Sequence, residues 1–508
     1  MSSATATALG IGSLAVALAT LVGADRRPMS RWPRILPTRP RGPGRTDHPR
    51  SGDAPSARWA RASDLGALVV RPSGPPPVGR LVLGRTGRRL VAAERAQSVI
   101  VFGPTQSHKT TGFAVPAILG WTGPVVAASV KGDLLEHTAG HRSTVGEVLC
   151  FDPTGSTGRP AVTWSPLPSS RTWPGARRAA ATLTEVGRSQ VGAMADGDFW
   201  YTTASRLLAP LLFAAATAGR DMAEVVHWVE TGEEADVLDL LVAAGVPEAV
   251  DAARSAFGKE ERQRSSIVTT LETLLEPFAG AAPFGAPDFD PGRLLAGSDT
   301  LYLCAPAHDQ RRLTPLFVGV LRAVLDRAFD HVTRTGRPLD PPLLVVLDEA
   351  ANIAPVPDLD SLAATAAGHG IQLVTVWHDL AQITARFGPR ATTVVNNHRA
   401  KLFLSGISDP ATLDYASHLV GDEERHLPAT TSGGRAGPST TRSPALRRLA
   451  PPDALRRTPP GSAVLVYRDL PPARLSLRTW FADPWLAGRA GVDESSAGGT
   501  RAEPRTGR

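Results

Sequence analysis

The chain has little cysteine and no residue pattern that is typical of a zinc site. Its two cysteines, Cys150 and Cys304, each end an apolar run, so we expect buried, reduced thiols rather than a disulfide. No cysteine–histidine spacing indicates zinc, and His108, His369 and His378 are scattered along the chain. A scaffold held together by disulfides or by zinc is therefore not expected.

Lysine is also scarce, and nearly all of the 55 basic residues are arginine, against 48 acidic residues and a net charge of +7. This basic excess indicates either contact with nucleic acid or anionic lipid, or the Arg, Ala, Gly and Pro bias of a GC-rich genome. A hydrophobic content of 42% over 508 residues excludes overall disorder and allows a membrane anchor and two sizeable domains.

The amino terminus lacks charged side chains over residues 1–24, and Ala8–Gly23 is apolar or small almost throughout. An arginine-rich stretch follows over residues 26–50. Because a bilayer needs about 20 apolar residues, we predict one transmembrane anchor in the cell membrane. The arginines after it predict that the bulk of the chain is cytoplasmic. The alternative is a segment too weakly hydrophobic to enter a membrane, since Ala, Gly and Thr are weak membrane formers.

The rest of the chain divides by composition. Residues 25–79 are rich in Pro, Arg, Gly and Ser and are predicted to be a linker, and residues 486–508 to be a disordered tail. A βαβ rhythm predicts a nucleotide-binding sheet domain in two parts, residues 80–168 and 298–485. Ala-, Leu- and Glu-rich segments with helical spacing predict an all-α domain inserted at residues 169–297.

Short apolar runs mark the predicted strands of this α/β fold. These strands are Gln97–Phe102, Pro124–Ser129, Glu147–Phe151, Thr300–Ala305, Leu343–Leu347, Gln372–Val376, Lys401–Leu404 and Ala463–Tyr467. Lys109–Leu119 is predicted to be a helix, and the Ser/Thr/Gly-rich segment Arg425–Pro444 a polar loop.

The sequence GPTQSHKT follows a predicted strand and opens a predicted helix, which is the context of a phosphate-binding loop. Lys109 would place a positive charge on the β- and γ-phosphates of ATP, and Thr110 a hydroxyl on Mg²⁺. Glycine usually precedes this lysine, but here the position holds His108, which tolerates positive φ better than most residues and adds bulk. The candidate nucleotide-binding residues are Gly103, Pro104, Thr105, Gln106, Ser107, His108, Lys109, Thr110 and Thr111. The alternative is a tight turn with a chance Lys-Thr pair.

A second segment, Leu343–Glu349, is an apolar strand that ends in two carboxylates. The carboxyl ends of parallel strands are where open α/β sheets bind ligands. Asp348 is a candidate Mg²⁺ ligand, and Glu349 a candidate catalytic base that orients and deprotonates the attacking water, beside the catalytic Lys109. The alternative is a chance pair in which Glu349 caps the next helix.

Taken in order, these motifs resemble the TraG/TraD-type coupling proteins of type IV secretion and conjugation systems. The matching segments are Gly103–Leu119, Val130–Leu135, Phe151–Gly155, Trp164–Leu167, Phe199–Trp200, Leu301–Pro306, Leu343–Ile353, Gly370–Ile383 and Asn396–Gly406. The resemblance implies a RecA/FtsK-like P-loop sheet domain with an inserted helical domain, a membrane anchor and a homo-hexamer. It also implies ATP with Mg²⁺ as cofactors, and the delivery of relaxase-bound single-stranded DNA to a secretion channel.

The chain departs from this family pattern beyond His108. Relatives often carry an arginine that acts on the neighbouring subunit's nucleotide, but the comparable stretch Ala363–Gly370 contains none. Arg386, Arg390 and Arg399 are possible substitutes, and His378 stands where relatives often have glutamine. Two alternative functions therefore stay open: a nucleotide-binding adaptor with weakened catalysis, and an FtsK/HerA-like DNA-segregation motor.

DNA contact has candidates in the helical domain. Lys259, Arg262 and Arg264 lie close together in the sequence, and the family analogy places DNA contact there and in the hexamer channel. A run of charges is more often a solvated helix face.

Overall fold

A computed structural model describes residues 56–70, 77–191, 197–279, 287–352, 355–431 and 439–491. The predicted anchor at residues 1–24 lies outside these ranges. Across the described parts of the chain, no helix has both the length and the apolar character needed to cross a membrane.

The strands of the described residues form one large sheet and one hairpin. They are β1 (Val69–Val70), β2 (Val82–Thr86), β3 (Arg89–Ala92), β4 (Val99–Phe102), β5 (Val125–Ser129), β6 (Val148–Phe151), β7 (Thr300–Cys304), β8 (Leu343–Leu347), β9 (Ile371–Trp377), β10 (Ala400–Leu404), β11 (Asp422–Thr431), β12 (Ser439–Arg448), β13 (Ser462–Tyr467) and β14 (Ala473–Ser476). The large sheet has the order β1-β3-β2-β14-β13-β10-β4-β9-β8-β5-β7-β6.

The helices flank this sheet or lie between β6 and β7. They are α1 (Val115–Gly120, preceded by a π-helical turn at Thr110–Ala114), α2 (Asp133–Arg142), α3 (Trp173–Val191), α4 (Gly197–Ala218), α5 (Met222–Thr231), α6 (Ala235–Ala243), α7 (Pro247–Phe257), α8 (Glu261–Leu275), α9 (Pro291–Ala296), α10 (Gln310–Thr335), α11 (Leu359–Thr365), α12 (Leu380–Phe387), α13 (Ala391–Asn397), α14 (Pro410–Val420), α15 (Pro452–Arg456) and α16 (Pro484–Arg489).

The centre of the sheet is parallel, from β10 through β4, β9, β8, β5 and β7 to β6. Every residue of β4, β5, β8 and β9 is buried, as expected for parallel strands covered on both faces. The predicted α/β sheet is therefore confirmed, and the carboxyl ends of β4, β9 and β8 lie side by side.

Beyond β10 the sheet continues with antiparallel strands, and one of them, β1, comes from a part of the chain that was predicted wrongly. Residues 56–70 were included in a linker over residues 25–79, but Leu65 and Leu68 are buried and Val69 pairs with Val91. The prediction was wrong there because Pro- and Arg-rich surroundings hide a short apolar segment. The extension continues through β13, β14, β2 and β3.

The predicted helical insert is confirmed, since α3 to α8 follow one another between β6 and β7. These helices share a continuous hydrophobic core with one face of the sheet. Leu208 of α4 and Phe317 of α10 are both buried in this core. The exact domain limits at residues 168 and 297 remain a prediction, because this shared core leaves no gap between the two parts.

Two further predictions were wrong. The segment Arg425–Pro444, predicted to be a polar loop, lies mostly in the antiparallel hairpin of β11 and β12, with Arg425 opposite Ala445. The predicted disordered tail starts too early, because α16 continues to Arg489 with Leu486 fully buried. The remainder of that tail, residues 492–508, lies outside the described residues.

A buried arginine joins the amino-terminal ends of two central strands. Arg142 ends α2 with no exposed surface and donates to the carbonyls of Trp121 (2.6 Å), Gly123 (2.8 Å) and Ser298 (2.7 Å). Its Nε donates to the Thr300 hydroxyl at 2.6 Å. Burial lowers the pKa of Arg142 to about 10, so the guanidinium stays charged at neutral pH. The acceptors immediately precede β5 and begin β7, so one side chain fixes α2 to both.

Replacing this guanidinium leaves several buried carbonyls without donors. We expect Arg142→Met to lower the free energy of unfolding by about 3–5 kcal/mol in urea denaturation. Arg457→Met is the control, because Arg457 is 70% exposed and pairs with Asp453 at the surface. Its expected cost is below about 1 kcal/mol. Equal losses in the two variants would contradict a special role for Arg142.

Candidate functional site

The phosphate-binding loop, residues 103–111, leaves the carboxyl end of β4 and turns back into α1. Gly103 donates its N–H to the Trp377 carbonyl at 2.9 Å, which ties the loop to β9. A side chain at Gly103 would collide with Ser107 and Leu404, so glycine is required by close packing. Gln106 and His108 both take positive φ, at 63° and 66°. His108 thus adopts the left-handed conformation that glycine usually supplies at this position.

Lys109 points back into the loop. Its Nζ lies 3.4 Å from the Gly103 carbonyl, 3.5 Å from the Pro104 carbonyl and 2.9 Å from His378 Nε2. Burial lowers the pKa of Lys109, and the carboxylates of Asp348 and Glu349 oppose that change. The ammonium therefore lies in a carbonyl-lined pocket beside two acids.

His378 follows β9 and faces the lysine. Its pKa is lowered first by burial and next by the positive charge of Lys109, so the neutral imidazole is favoured. A neutral imidazole can accept a hydrogen bond from the ammonium at the observed distance of 2.9 Å. His378 therefore holds the Lys109 side chain within the loop.

Asp348 lies at the carboxyl end of β8 and contacts the first residue of the π-helical turn that precedes α1. The Thr110 hydroxyl donates to Asp348 Oδ2 at 2.7 Å, and the Asp348 N–H donates to the Ala128 carbonyl at 3.1 Å. Burial raises the pKa of Asp348 to about 6, although the Thr110 hydrogen bond acts in the opposite direction. Its other oxygen, Oδ1, is buried without a hydrogen-bond partner among the described residues.

This orphaned oxygen makes the pair suitable for a cation. A buried carboxylate oxygen without a donor is costly unless a ligand satisfies it. A carboxylate and a hydroxyl are oxygen ligands of the kind that Mg²⁺ prefers. Asp348 and Thr110, the two predicted metal ligands, are therefore in direct contact and present a fitting donor set.

Glu349 differs from its neighbour in exposure and backbone conformation. It takes a positive φ of 65° in a turn, and the next helix, α11, begins at Leu359 after Asp358, so the alternative in which Glu349 caps that helix is wrong. Its Oε2 accepts from Asn352 Nδ2 at 3.4 Å, and it lines a cavity of about 410 Å³ with Gln310 and Arg386. This partly buried carboxylate lies near enough to Lys109 and Asp348 for its charge to raise the pKa of both.

The structure brings the predicted residues together to different degrees. Lys109, Thr110, Asp348 and Glu349 converge at one edge of the sheet, whereas Thr105 and Gln106 are exposed at the tip of the loop. Thr111 lies next to the site: its carbonyl accepts from Trp480 N at 3.0 Å, and its hydroxyl lies 3.2 Å from His108 Nδ1.

Two residues of the site were missed from sequence. Lys131 and Asp133 follow the carboxyl end of β5, and their charges act on Lys109 and Asp348 respectively. The Ser129 hydroxyl donates to Asp133 at 2.8 Å and so orients that carboxylate. The signal was available in the position of VKGDLL immediately after a predicted strand, where ligand-binding residues collect.

The three arginines considered as substitutes lie in different places. Arg390 pairs with Asp360 at 3.3 Å, and Arg399 with Glu94 at 3.4 Å. Arg386 instead lines the cavity that contains Glu349, and burial lowers its pKa to about 10. Within the described residues, Arg386 is thus the one of these three that shares a cavity with the candidate base.

The raised pKa of Asp348 makes stability depend on pH. In the folded chain Asp348 keeps its proton up to about pH 6, whereas in the unfolded chain it loses the proton at about pH 4. The folded state therefore loses stability as the pH rises from about 4 to about 6, and the full cost of the ionised carboxylate is present above about pH 6. With EDTA present to remove divalent cations, we expect the free energy of unfolding of Asp348→Asn at about pH 8 to be about 3 kcal/mol higher than that of the wild type. The difference should shrink towards zero as the pH falls to about 4.

Urea denaturation of both proteins across this pH range measures the difference. Asp251→Asn, at an exposed position of α7, controls for the loss of one negative charge. A constant difference between wild type and Asp348→Asn at all pH values would contradict the raised pKa.

Comparison with known proteins gives these residues a context. The family described as type IV secretory system conjugative DNA transfer matches residues 61–498. The conjugal transfer protein TraG of Escherichia coli is 25% identical over 510 residues, covering 86% of this chain and 78% of that protein. Protein VirD4 of Rhizobium radiobacter is 24% identical, covering 85% of this chain and 64% of that protein.

Solved structures show the same fold at lower sequence identity. The bacterial conjugative coupling protein TrwBdeltaN70 in its unbound form aligns with a TM-score of 0.63 and 18% identity, over 84% of this chain and 96% of that chain. The plasmid coupling protein TrwB in complex with ADP and Mg²⁺ aligns with a TM-score of 0.62 and 18% identity, over 84% and 94% of the two chains. Because the family model spans most of the chain, this protein belongs to the type IV secretory system conjugative DNA transfer family, as a coupling protein.

Proposed function

We propose that this coupling protein binds ATP with Mg²⁺ at the phosphate-binding loop and hydrolyses it to drive conjugative DNA transfer. The observation that carries the proposal is the convergence of Lys109, Thr110, Asp348 and Glu349 at one sheet edge. The proposal is also supported by the solved structure of the plasmid coupling protein TrwB, which has the same fold and contains ADP and Mg²⁺.

The chemistry of the site follows from these groups. Lys109 exchanges its contacts with loop carbonyls and His378 for the β- and γ-phosphates, whose charge also favours the ammonium. N–H groups of the loop and of the π-helical turn that follows it bind phosphate oxygens. Asp348 and Thr110 would hold Mg²⁺, which neutralises phosphate charge when bound. Glu349 orients the attacking water and accepts its proton.

The remaining parts of the proposal concern assembly and location. We propose an anchor at residues 1–24 in the cell membrane and a cytoplasmic body whose sheet domain carries its helical insert at residues 169–297. A homo-hexamer would recruit relaxase-bound single-stranded DNA to the secretion channel. Membership of the conjugative DNA transfer family and the resemblance in motifs support this arrangement.

A second candidate is a nucleotide-binding adaptor with weakened catalysis. Specific observations favour it: His108 occupies a position of positive φ, and Ala363–Gly370 contains no arginine. His378 binds Lys109 where relatives often have glutamine. The third candidate, an FtsK/HerA-like segregation motor outside a secretion system, is disfavoured by the family to which the chain belongs.

Turnover by site variants separates the motor from the adaptor. We expect Lys109→Ala to lose ATP binding, and Glu349→Gln to bind ATP but to lose turnover by about 100-fold or more, because only the base is removed. Single-stranded DNA should stimulate the wild type. ATP hydrolysis and fluorescent-nucleotide binding measure these effects, with Asp453→Asn as an exposed control. Equal turnover in the wild type and Lys109→Ala would favour the adaptor.

The positive φ of His108 predicts an order among substitutions at that position. We expect His108→Gly and His108→Asn to bind nucleotide within about threefold of the wild type, since both residues reach this conformation readily. His108→Val should bind about tenfold more weakly, because a β-branched residue is strained there by about 1–2 kcal/mol. Nucleotide titration and thermal melting of all three test this order. Valine binding as tightly as glycine would contradict it.

A further inference from the structure

A cavity of about 560 Å³, here named the amino-edge pocket, lies at the edge of the sheet opposite the phosphate-binding loop. Gln97 and Ser98 line it immediately before β4, Lys401 lines it from β10, and Arg468 lines it immediately after the antiparallel β13. The length of β4, at about 3.3 Å per residue, separates this pocket from the loop. Its volume falls within the range of about 300–1,000 Å³ that is typical of ligand pockets.

The pocket contains part of a motif that the nucleotide site leaves unexplained. The segment Asn396–Gly406 is one of those that resemble the coupling proteins, yet its polar residues take no part in the loop or its carboxylates. Asn396, Asn397, Arg399 and Lys401 all line the amino-edge pocket instead. These polar side chains are therefore available to a ligand at the opposite edge of the sheet.

The lining of the pocket is basic. Its three cations are Arg399, Lys401 and Arg468, and no carboxylate of the described chain lines it. Glu94, outside the lining, lies 3.4 Å from Arg399 Nε and 3.6 Å from Arg468 Nη1, and Asp469 lies 3.6 Å from Arg468 Nε. These carboxylates compensate the two arginines in part and leave the pocket with a net positive lining.

Lys401 is the least compensated of the three cations. Its Nζ donates to the His398 carbonyl at 2.7 Å, and it forms no ion pair with any residue that the structure describes. Burial lowers the pKa of Lys401 to about 8. Because a partly buried ammonium is costly unless an anion neutralises it, this position favours a negatively charged ligand.

Arg399 has a donor that the protein does not use. Its Nη1 donates to Gln97 Oε1 at 3.3 Å, whereas its Nη2 makes no hydrogen bond within the described ranges. Residues two apart along a strand face the same side, so Arg399 and Lys401 present their charges to one ligand. A guanidinium and an ammonium together are suited to the oxygens of a phosphate group.

Amide groups supply a second kind of contact. Asn396 Oδ1 accepts from the Tyr415 hydroxyl at 3.4 Å, and Asn397 Nδ2 donates to the Asp360 carbonyl at 2.9 Å. The other amide group of each side chain, a donor on Asn396 and an acceptor on Asn397, has no hydrogen bond to the described parts of the chain. Hydroxyl groups both donate and accept, so a ligand with several hydroxyls matches this pair.

We propose that the amino-edge pocket binds a polyol phosphate monoester, with Arg399, Lys401 and Arg468 on the phosphate and Asn396 and Asn397 on the hydroxyls. A phosphate monoester brings nearly two negative charges at neutral pH and three acceptor oxygens to the three cations. The inference goes beyond the proposed function, because this ligand binds at a different edge of the sheet from ATP.

Other anions suit the pocket less well. A nucleotide would bring a base, but the lining within the described chain includes no aromatic ring on which a base could stack. A protein carboxylate or a lipid phosphodiester brings a single charge to three cations. The combination of a doubly charged phosphate with hydroxyl groups uses both kinds of contact that the lining offers.

The experiment follows thermal melting of the full-length chain in a Lys109→Ala background, which weakens phosphate binding at the loop. The pocket variant is Arg399→Gln with Lys401→Met, and the matched control removes two exposed charges, Arg456→Gln with Arg457→Gln. At constant ionic strength, about 10 mM glycerol phosphate should raise the melting temperature of the background and of the control by about 2 °C or more. The pocket variant should shift by less than about 0.5 °C.

Each shift is measured against the ligand-free melting temperature of the same variant, so a change in basal stability does not enter. Lys401→Met alone should melt no lower than the background without ligand, because it removes a poorly compensated charge. Should the paired variant not fold, Arg468→Gln at an exposed position provides the same test, with an expected loss of affinity of about threefold.

The choice of ligand tests the assignment further. Glycerol without phosphate should give no shift, and inorganic phosphate a smaller shift than its glycerol ester. Equal shifts in the pocket and control variants, an equal or larger shift with inorganic phosphate, or tighter binding of phosphatidylglycerol vesicles than of the free ester would overturn the inference.

A final comparison separates the pocket from the nucleotide site. With Lys109 restored, loss of ATP turnover in the pocket variant at unchanged affinity for the ester would also overturn the inference, since the cations would then act on ATP. A chain without ATP turnover would contradict the proposed motor and leave the melting result standing.

Discussion

The site depends on a buried carboxylate held against a helix start at the carboxyl edge of a parallel sheet. In the sheet, β9 lies between β4 and β8, so the loop after β4 reaches Asp348 after β8 across His378 after β9. Burial makes ionised Asp348 costly, and its Oδ1 has no donor among the described residues. A cation bound by Asp348 would relieve this cost and would thereby couple ligand binding to the geometry of the three strands.

The sequence predicted those parts of the fold that are encoded locally. β8 has the predicted limits, because an uninterrupted apolar run is what a strand covered on both faces requires. The hairpin of β11 and β12 was missed because its polar residues show no alternation, and residues 56–70 because their apolar core is short. Asp348 and Thr110 could be paired from motifs, but the 2.9 Å Lys109–His378 contact joins residues 269 apart and needs the tertiary fold.

The Lys109 ammonium at the sheet edge has protein partners of its own. Its Nζ lies 3.4 Å from the Gly103 carbonyl, 3.5 Å from the Pro104 carbonyl and 2.9 Å from His378 Nε2. Burial lowers the pKa of Lys109, and the nearby carboxylates of Asp348 and Glu349 oppose that change. A nucleotide that enters the loop would therefore replace contacts that Lys109 already makes, and its phosphates would favour the charged ammonium.

The most direct test of the nucleotide site is a crystal structure of the chain with Mg²⁺ and a non-hydrolysable ATP analogue. We predict phosphate oxygens within hydrogen-bond distance of Lys109 Nζ, Mg²⁺ bound to the Thr110 hydroxyl with Asp348 in its coordination shell, and the direct Thr110–Asp348 hydrogen bond replaced. A nucleotide bound elsewhere, or phosphates in the loop with the Lys109–His378 and Thr110–Asp348 contacts unchanged, would contradict this assignment.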